Sequence, residues 1–71
     1  MKANLKIAND LLDLFGESAF YNISVWDDKV VLQGKFQPPI SQRCNADEYT
    51  VEVDNSGYFH MKKGNVVIIL T

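Results

Sequence analysis

Seventy-one residues carry seven basic and nine acidic side chains, for a formal net charge of −2. That balance gives neither the basic footprint of a duplex-DNA binder nor the dense acidity of a DNA mimic or a disordered tail. A chain this short buries only about 60% of the surface its unfolded form exposes. The lone Cys44 excludes an internal disulfide, and one Cys with one His60 leaves no soft-ligand cluster for zinc, so a partner chain is the remaining device for completing a thin core.

The N-terminal segment has two lysines but no apolar h-region with a small-residue cleavage site, and the longest apolar run, Val66 with Val67, Ile68, Ile69 and Leu70, falls far short of a membrane span. The expectation is a soluble cytoplasmic protein in a reducing compartment, with no membrane contact and no cofactor. Asn22-Ile23-Ser24 has the form of a glycosylation sequon, but without a secretory signal it reads as strand sequence.

Over 5–15, Leu5, Ile7, Ala8, Leu11, Leu12, Leu14 and Phe15 fill one half of a helical wheel, while Lys6, Asn9, Asp10 and Asp13 share the other. This predicts an amphipathic helix capped by Asn4 and closed at Gly16. The stretches 20–26 and 29–36 predict a hairpin around Asp27-Asp28, pairing Val25 with Val30, Ile23 with Leu32 and Tyr21 with Gly34 on the core face. Its other face carries Trp26 with Lys29, Ser24 with Val31, Asn22 with Gln33 and Phe20 with Lys35. The segment 37–47 opens on Pro38-Pro39 and is expected to be an irregular crossing loop with at most one helical turn near Ser41.

The stretch 48–54 alternates, with Tyr49, Val51 and Val53 opposite Thr50, Glu52 and Asp54, and a three-residue loop at Asn55, Ser56 and Gly57 leads into 58–62. This register pairs Val53 with Phe59, Val51 with Met61, Glu52 with His60 and Thr50 with Lys62. A turn at Lys63-Gly64 then starts the last strand, 65–71, with Met61 beside Val66, Phe59 beside Ile68, His60 beside Val67 and Tyr58 beside Ile69. The expected fold is one α+β domain over 1–71, with an N-terminal amphipathic helix on one face of a five-stranded, mainly antiparallel sheet in the order α-β-β-β-β-β.

The last strand is apolar at every position, so both of its faces must meet something other than water. One helix covers only one face, which leaves Trp26, Val31, Tyr58, Val67 and Ile69 as a candidate partner-binding surface for a second copy of the chain or another protein. A loop over 37–47 folded across Val67 and Ile69 is the alternative cover. A second function class is single-stranded nucleic-acid binding, in which Phe20, Trp26, Tyr58 and His60 stack on bases while Lys29, Lys35, Lys62 and Lys63 follow phosphates. The acidic residues around the same surface and the absence of an RNP-like or GXXG motif weigh against it.

Catalysis would need Cys44 activated by His60 with Glu52 as orienting carboxylate, yet no second base, oxyanion-hole signature or cofactor loop accompanies them. The expectation is a non-catalytic module with no catalytic, cofactor-binding or metal-binding residue. Asp54 to Gly57 resembles the start of a calcium loop but lacks the remaining ligands, and serves as a turn.

Overall fold

The computed structural model describes residues 2–71; of the domain expected over 1–71, Met1 alone lies outside the described residues. The element order is α1 (Lys2–Phe15), a 3₁₀ turn (Glu17–Ala19), β1 (Phe20–Val25), β2 (Val30–Gly34), α2 (Pro38–Ala46), β3 (Thr50–Val53), β4 (Phe59–Lys63) and β5 (Val66–Leu70). The strands form one mixed sheet in the order β1-β2-β5-β4-β3. Three neighbouring pairs are antiparallel, as the sequence suggests, but β2 and β5 run parallel at its centre.

That parallel pair follows from the segment read as an irregular loop. A parallel connection needs a crossover, usually built around a helix, and 37–47 supplies one. Pro38 and Pro39 occupy the first helical positions, where a missing N–H costs nothing, and Gln37 before them is extended, as a residue preceding proline prefers. The prolines therefore start α2 instead of forbidding structure. Its far end closes in a Schellman arrangement, with Glu48 N–H donating to Asn45 O at 3.2 Å and Tyr49 N–H to Cys44 O at 2.9 Å.

Ile40 and Cys44, four positions apart on α2, join Ala8 of α1 in a core with Val30, Leu32, Met61, Val66, Ile68 and Leu70. Strand alternation puts those sheet residues on one face, so both helices lie on the same side. The alternative in which 37–47 covers Val67 and Ile69 is thereby overturned.

Two local expectations change. Asn4 is not a helix cap: α1 begins at Lys2, and Asn4 is buried within it, using its side chain on distant groups. In the first hairpin, Val25 pairs with Val30, Ile23 with Leu32, Ser24 with Val31 and Asn22 with Gln33 as expected, but a bulge then pairs Phe20, not Tyr21, with Gly34. One extra residue reverses the two faces beyond it. Phe20 is 8% exposed and meets Phe15 edge-on at 6.1 Å, whereas Tyr21 is 62% exposed. Gly34 is required by this crossing, since a Cβ there would lie 2.3 Å from Ala19 O and 3.1 Å from Phe20 Cδ1.

The β3–β4 register is the expected one. The β4–β5 register is shifted by two residues, with Lys63 opposite Val66, Met61 opposite Ile68, Phe59 opposite Leu70 and His60 opposite Ile69. The turn is centred on Gly64-Asn65, and Gly64 at φ +58° takes the first central position, where primed turns need a positive φ. An even shift preserves the faces, so each side chain of β5 still points where alternation assigned it.

Candidate partner-binding face of the sheet

The registers arrange the face away from the helices as rows across the strands. Ser24, Val31, Val67, Lys62 and Thr50 form one row from β1 to β3, and Asn22, Gln33, Ile69, His60 and Glu52 form the next. Val31, Val67 and Ile69 thus make one apolar cluster on the two central strands. All three are half-buried. Trp26 and Tyr58 are exposed and stand at opposite ends of the face. Trp26 lies at the Asn65 level and Tyr58 at the Thr71 level, about 20 Å apart along the strands.

Polar pairs frame the cluster. Asn22 Nδ2 donates to Gln33 Oε1 at 2.6 Å, Lys62 Nζ stands 3.9 Å from Glu52, and Lys29 sits over the Trp26 ring, 5.5 Å from its centroid. His60 Nε2 meets Asp54 Oδ2 at 2.7 Å. This corrects the expected orientation of His60 by Glu52. Asp54 Oδ1 accepts the Ser56 and Tyr58 N–H groups at 2.8 and 3.0 Å, which holds the carboxylate at the hairpin turn with its second oxygen toward the imidazole. The His60 hydrogen bond, followed by the Tyr58 N–H, lowers the Asp54 pKa.

Of the residues considered for nucleic-acid stacking, Trp26, Lys29, Lys35, Tyr58, His60 and Lys62 belong to this face. Phe20 is in the core because of the bulge. Lys63 faces the helix side, where its Nζ donates to Asp47 O at 2.7 Å and lies 5.7 Å from the Tyr49 ring centroid. Tyr21, assigned to the core by simple alternation, replaces Phe20 on this face, with its hydroxyl 3.5 Å from Thr71 Oγ1. The glycine at 34 was the readable signal for an irregularity opposite it.

Cys44 and His60 lie on opposite sides of the sheet, so the arrangement does not join them as nucleophile and base. The Cys44 thiol is fully buried, and desolvation, with Asp47 adding a smaller effect, pushes its pKa up to about 11. An open cleft of about 480 Å³ lies between the end of α1 and the start of α2, lined by Leu14, Phe15, Pro39 and Arg43 among others. Arg43 is already paired with Asp47 at 3.0 Å. Among the described residues, no helix is long and apolar enough to cross a membrane.

Comparison with protein-family models, curated proteins and solved structures finds no match to this chain.

Proposed function

We propose that the chain is a non-catalytic protein-interaction module whose helix-free sheet face receives a second copy of itself. The observation behind this reading is the parallel β2–β5 pair, apolar toward the helices at Val30, Leu32, Val66, Ile68 and Leu70 and apolar again on the other side at Val31, Val67 and Ile69. Parallel pairs are ordinarily covered on both faces, and here both helices serve one. A two-fold axis along β5 sets Val67 and Ile69 against their own copies. The same axis lays β2 over β4 of the second copy, bringing Lys35, which has no ion pair among the described residues, toward Asp54.

Each large apolar side chain fully buried in this way contributes about 1.5–3 kcal/mol before association costs. Light scattering after chromatography tests the reading. The expected result is a concentration-dependent dimer that Val67→Lys and Ile69→Lys convert to monomers with the native circular dichroism spectrum. A wild-type chain that stays monomeric at millimolar concentration overturns it.

Single-stranded nucleic-acid binding is the second reading, supported by Tyr21, Lys35 and Tyr58 at one end of the same face. It requires salt-sensitive oligonucleotide binding that Tyr58→Ala weakens.

A further inference from the structure

We propose that β3 is a docking edge on which an extended peptide segment of alternating apolar and basic residues adds as a sixth strand. The inference concerns the backbone edge of the sheet and not the apolar cluster at its centre, and it shares with the helix-free face only the carboxylates of Glu52 and Asp54.

The backbone carries the first part of the argument. Asp54 N–H donates to Tyr58 O at 3.0 Å, so 54 and 58 form a hydrogen-bonded rung. Antiparallel alternation makes Glu52–His60 and Thr50–Lys62 the next such rungs and turns the N–H and C=O of Val51 and Val53 away from β4. β3 is the last strand of the sheet, so among the described residues no strand pairs with these two donors and two acceptors. Tyr49 cannot extend the free edge, because its N–H is already given to Cys44 O.

The side chains carry the second part. Val51 and Val53 are 43% and 59% exposed, on the helix side of the sheet. Val53 adjoins Phe59, whose ring lies 4.9 Å from that of the exposed Phe36, so the apolar shelf continues inward from the edge. On the opposite side the strand carries the exposed Glu52, 3.9 Å from Lys62, and Asp54 follows just past its end, bonded to His60. An incoming strand with apolar residues beside Val51 and Val53 and a cation beside Glu52 therefore matches β3.

The two edges differ. β1 carries the bulge at Tyr21, a device that spoils strand pairing, whereas β3 has no bulge, proline or lysine. A second copy of β3 is a poor occupant. The two-fold register that pairs both free positions, Val51 with Val53 of the copy, sets Glu52 directly opposite Glu52, and like charges in facing positions repel. Charge complementarity selects a basic strand instead.

An alternating lysine–valine hexapeptide, with a block isomer of three lysines followed by three valines as its control, tests this on isotopically labelled protein. Amide hydrogen exchange at Val51 and Val53 is expected to slow about tenfold or more at saturation with the alternating peptide, as new hydrogen bonds demand. Glu52→Lys, at an exposed position, is expected to weaken binding about tenfold, and N-methylating the peptide's ladder amides to abolish it. Unchanged exchange at both valines overturns the proposal. So does equal protection by the block isomer, or protection that grows with protein concentration when no peptide is present, which would identify a second copy as the occupant.

Discussion

The side-chain amide of Asn65 donates to Oδ1 of Asn4 at 2.7 Å, across sixty-one positions of the chain. Asn4 Nδ2 in turn donates to Trp26 O at 2.7 Å and Asp27 O at 3.0 Å. One side chain, 5% exposed, thereby ties α1 to both the β1–β2 turn and the β4–β5 turn. The network needs two donors and an acceptor on one short side chain, which asparagine supplies. In a thin core this polar knot fixes how the helix lies along the sheet.

Replacing Asn4 should expose the strength of that knot. Asn4→Ala removes three hydrogen bonds and leaves the Trp26 and Asp27 carbonyls under the helix, a loss of about 1–3 kcal/mol. Asn4→Asp should be worse at neutral pH, because a carboxylate would then face two carbonyl oxygens, and should recover in part in acid. Urea denaturation at pH 7 and pH 4 measures both. Equal stability of wild type and Asn4→Ala would show that the knot is dispensable.

Gly34 is the second rigid point. With Ala19 O only 2.3 Å from a would-be Cβ, the backbone itself obstructs the methyl group, and no flexible side chain can yield. Gly34→Ala should cost about 1–3 kcal/mol or unfold the bulge around Tyr21. Thermal melting together with the Tyr21 and Phe20 ring signals in a nuclear magnetic resonance spectrum distinguishes these outcomes from a neutral substitution.

The alternation of 48–54 and the wheel of α1 were legible because each rests on a local period that tertiary packing reinforces. The Val25–Val30 register follows from turn length, and the Val53–Phe59 register from turn length together with the requirement that His60 stay out of the core. α2 was hidden because Pro38-Pro39 has two structural meanings, loop and helix start, and only the burial of Ile40 and Cys44 selects between them. The parallel β2–β5 pair was hidden with it. Exchange of Phe20 and Tyr21 needed the bulge, whose cause is a contact between Gly34 and a backbone oxygen fifteen residues earlier. Of the candidate surface, the apolar cluster of Val31, Val67 and Ile69 was readable from strand parity. The spread of Trp26 and Tyr58 to opposite ends depends on strand order, which parity does not contain.

Glu48 offers a stabilising change. It stands just past the cap of α2 at φ +66°, in the left-handed region where a side chain is strained, and its negative charge faces the negative end of the helix. Glu48→Gly keeps both Schellman hydrogen bonds and removes both penalties. A gain of about 0.5–1 kcal/mol is expected, visible as a raised urea midpoint with an unchanged slope. A loss of stability would mean that the Glu48 side chain makes a contribution larger than its strain.

The Asp54–His60 pair gives the fold a pH signature. Asp54 has its folded pKa lowered, first by the His60 hydrogen bond and then by the Tyr58 N–H, so its contribution is complete above the ordinary aspartate range and disappears as pH falls through the folded value. Asp54→Asn removes the charge while keeping an oxygen for the Ser56 and Tyr58 donors. The variant should therefore melt below wild type at pH 6, and the gap should start to close only below the ordinary aspartate range, vanishing as pH falls through the lowered folded pKa of the wild-type carboxyl. His60→Ala removes the leading cause of the shift and should narrow the same gap when combined with Asp54→Asn, since the two changes act on one contact. Melting temperatures from pH 2 to pH 7 for the four proteins test this, and a gap that stays constant across that range would show that the pair does not couple to folding.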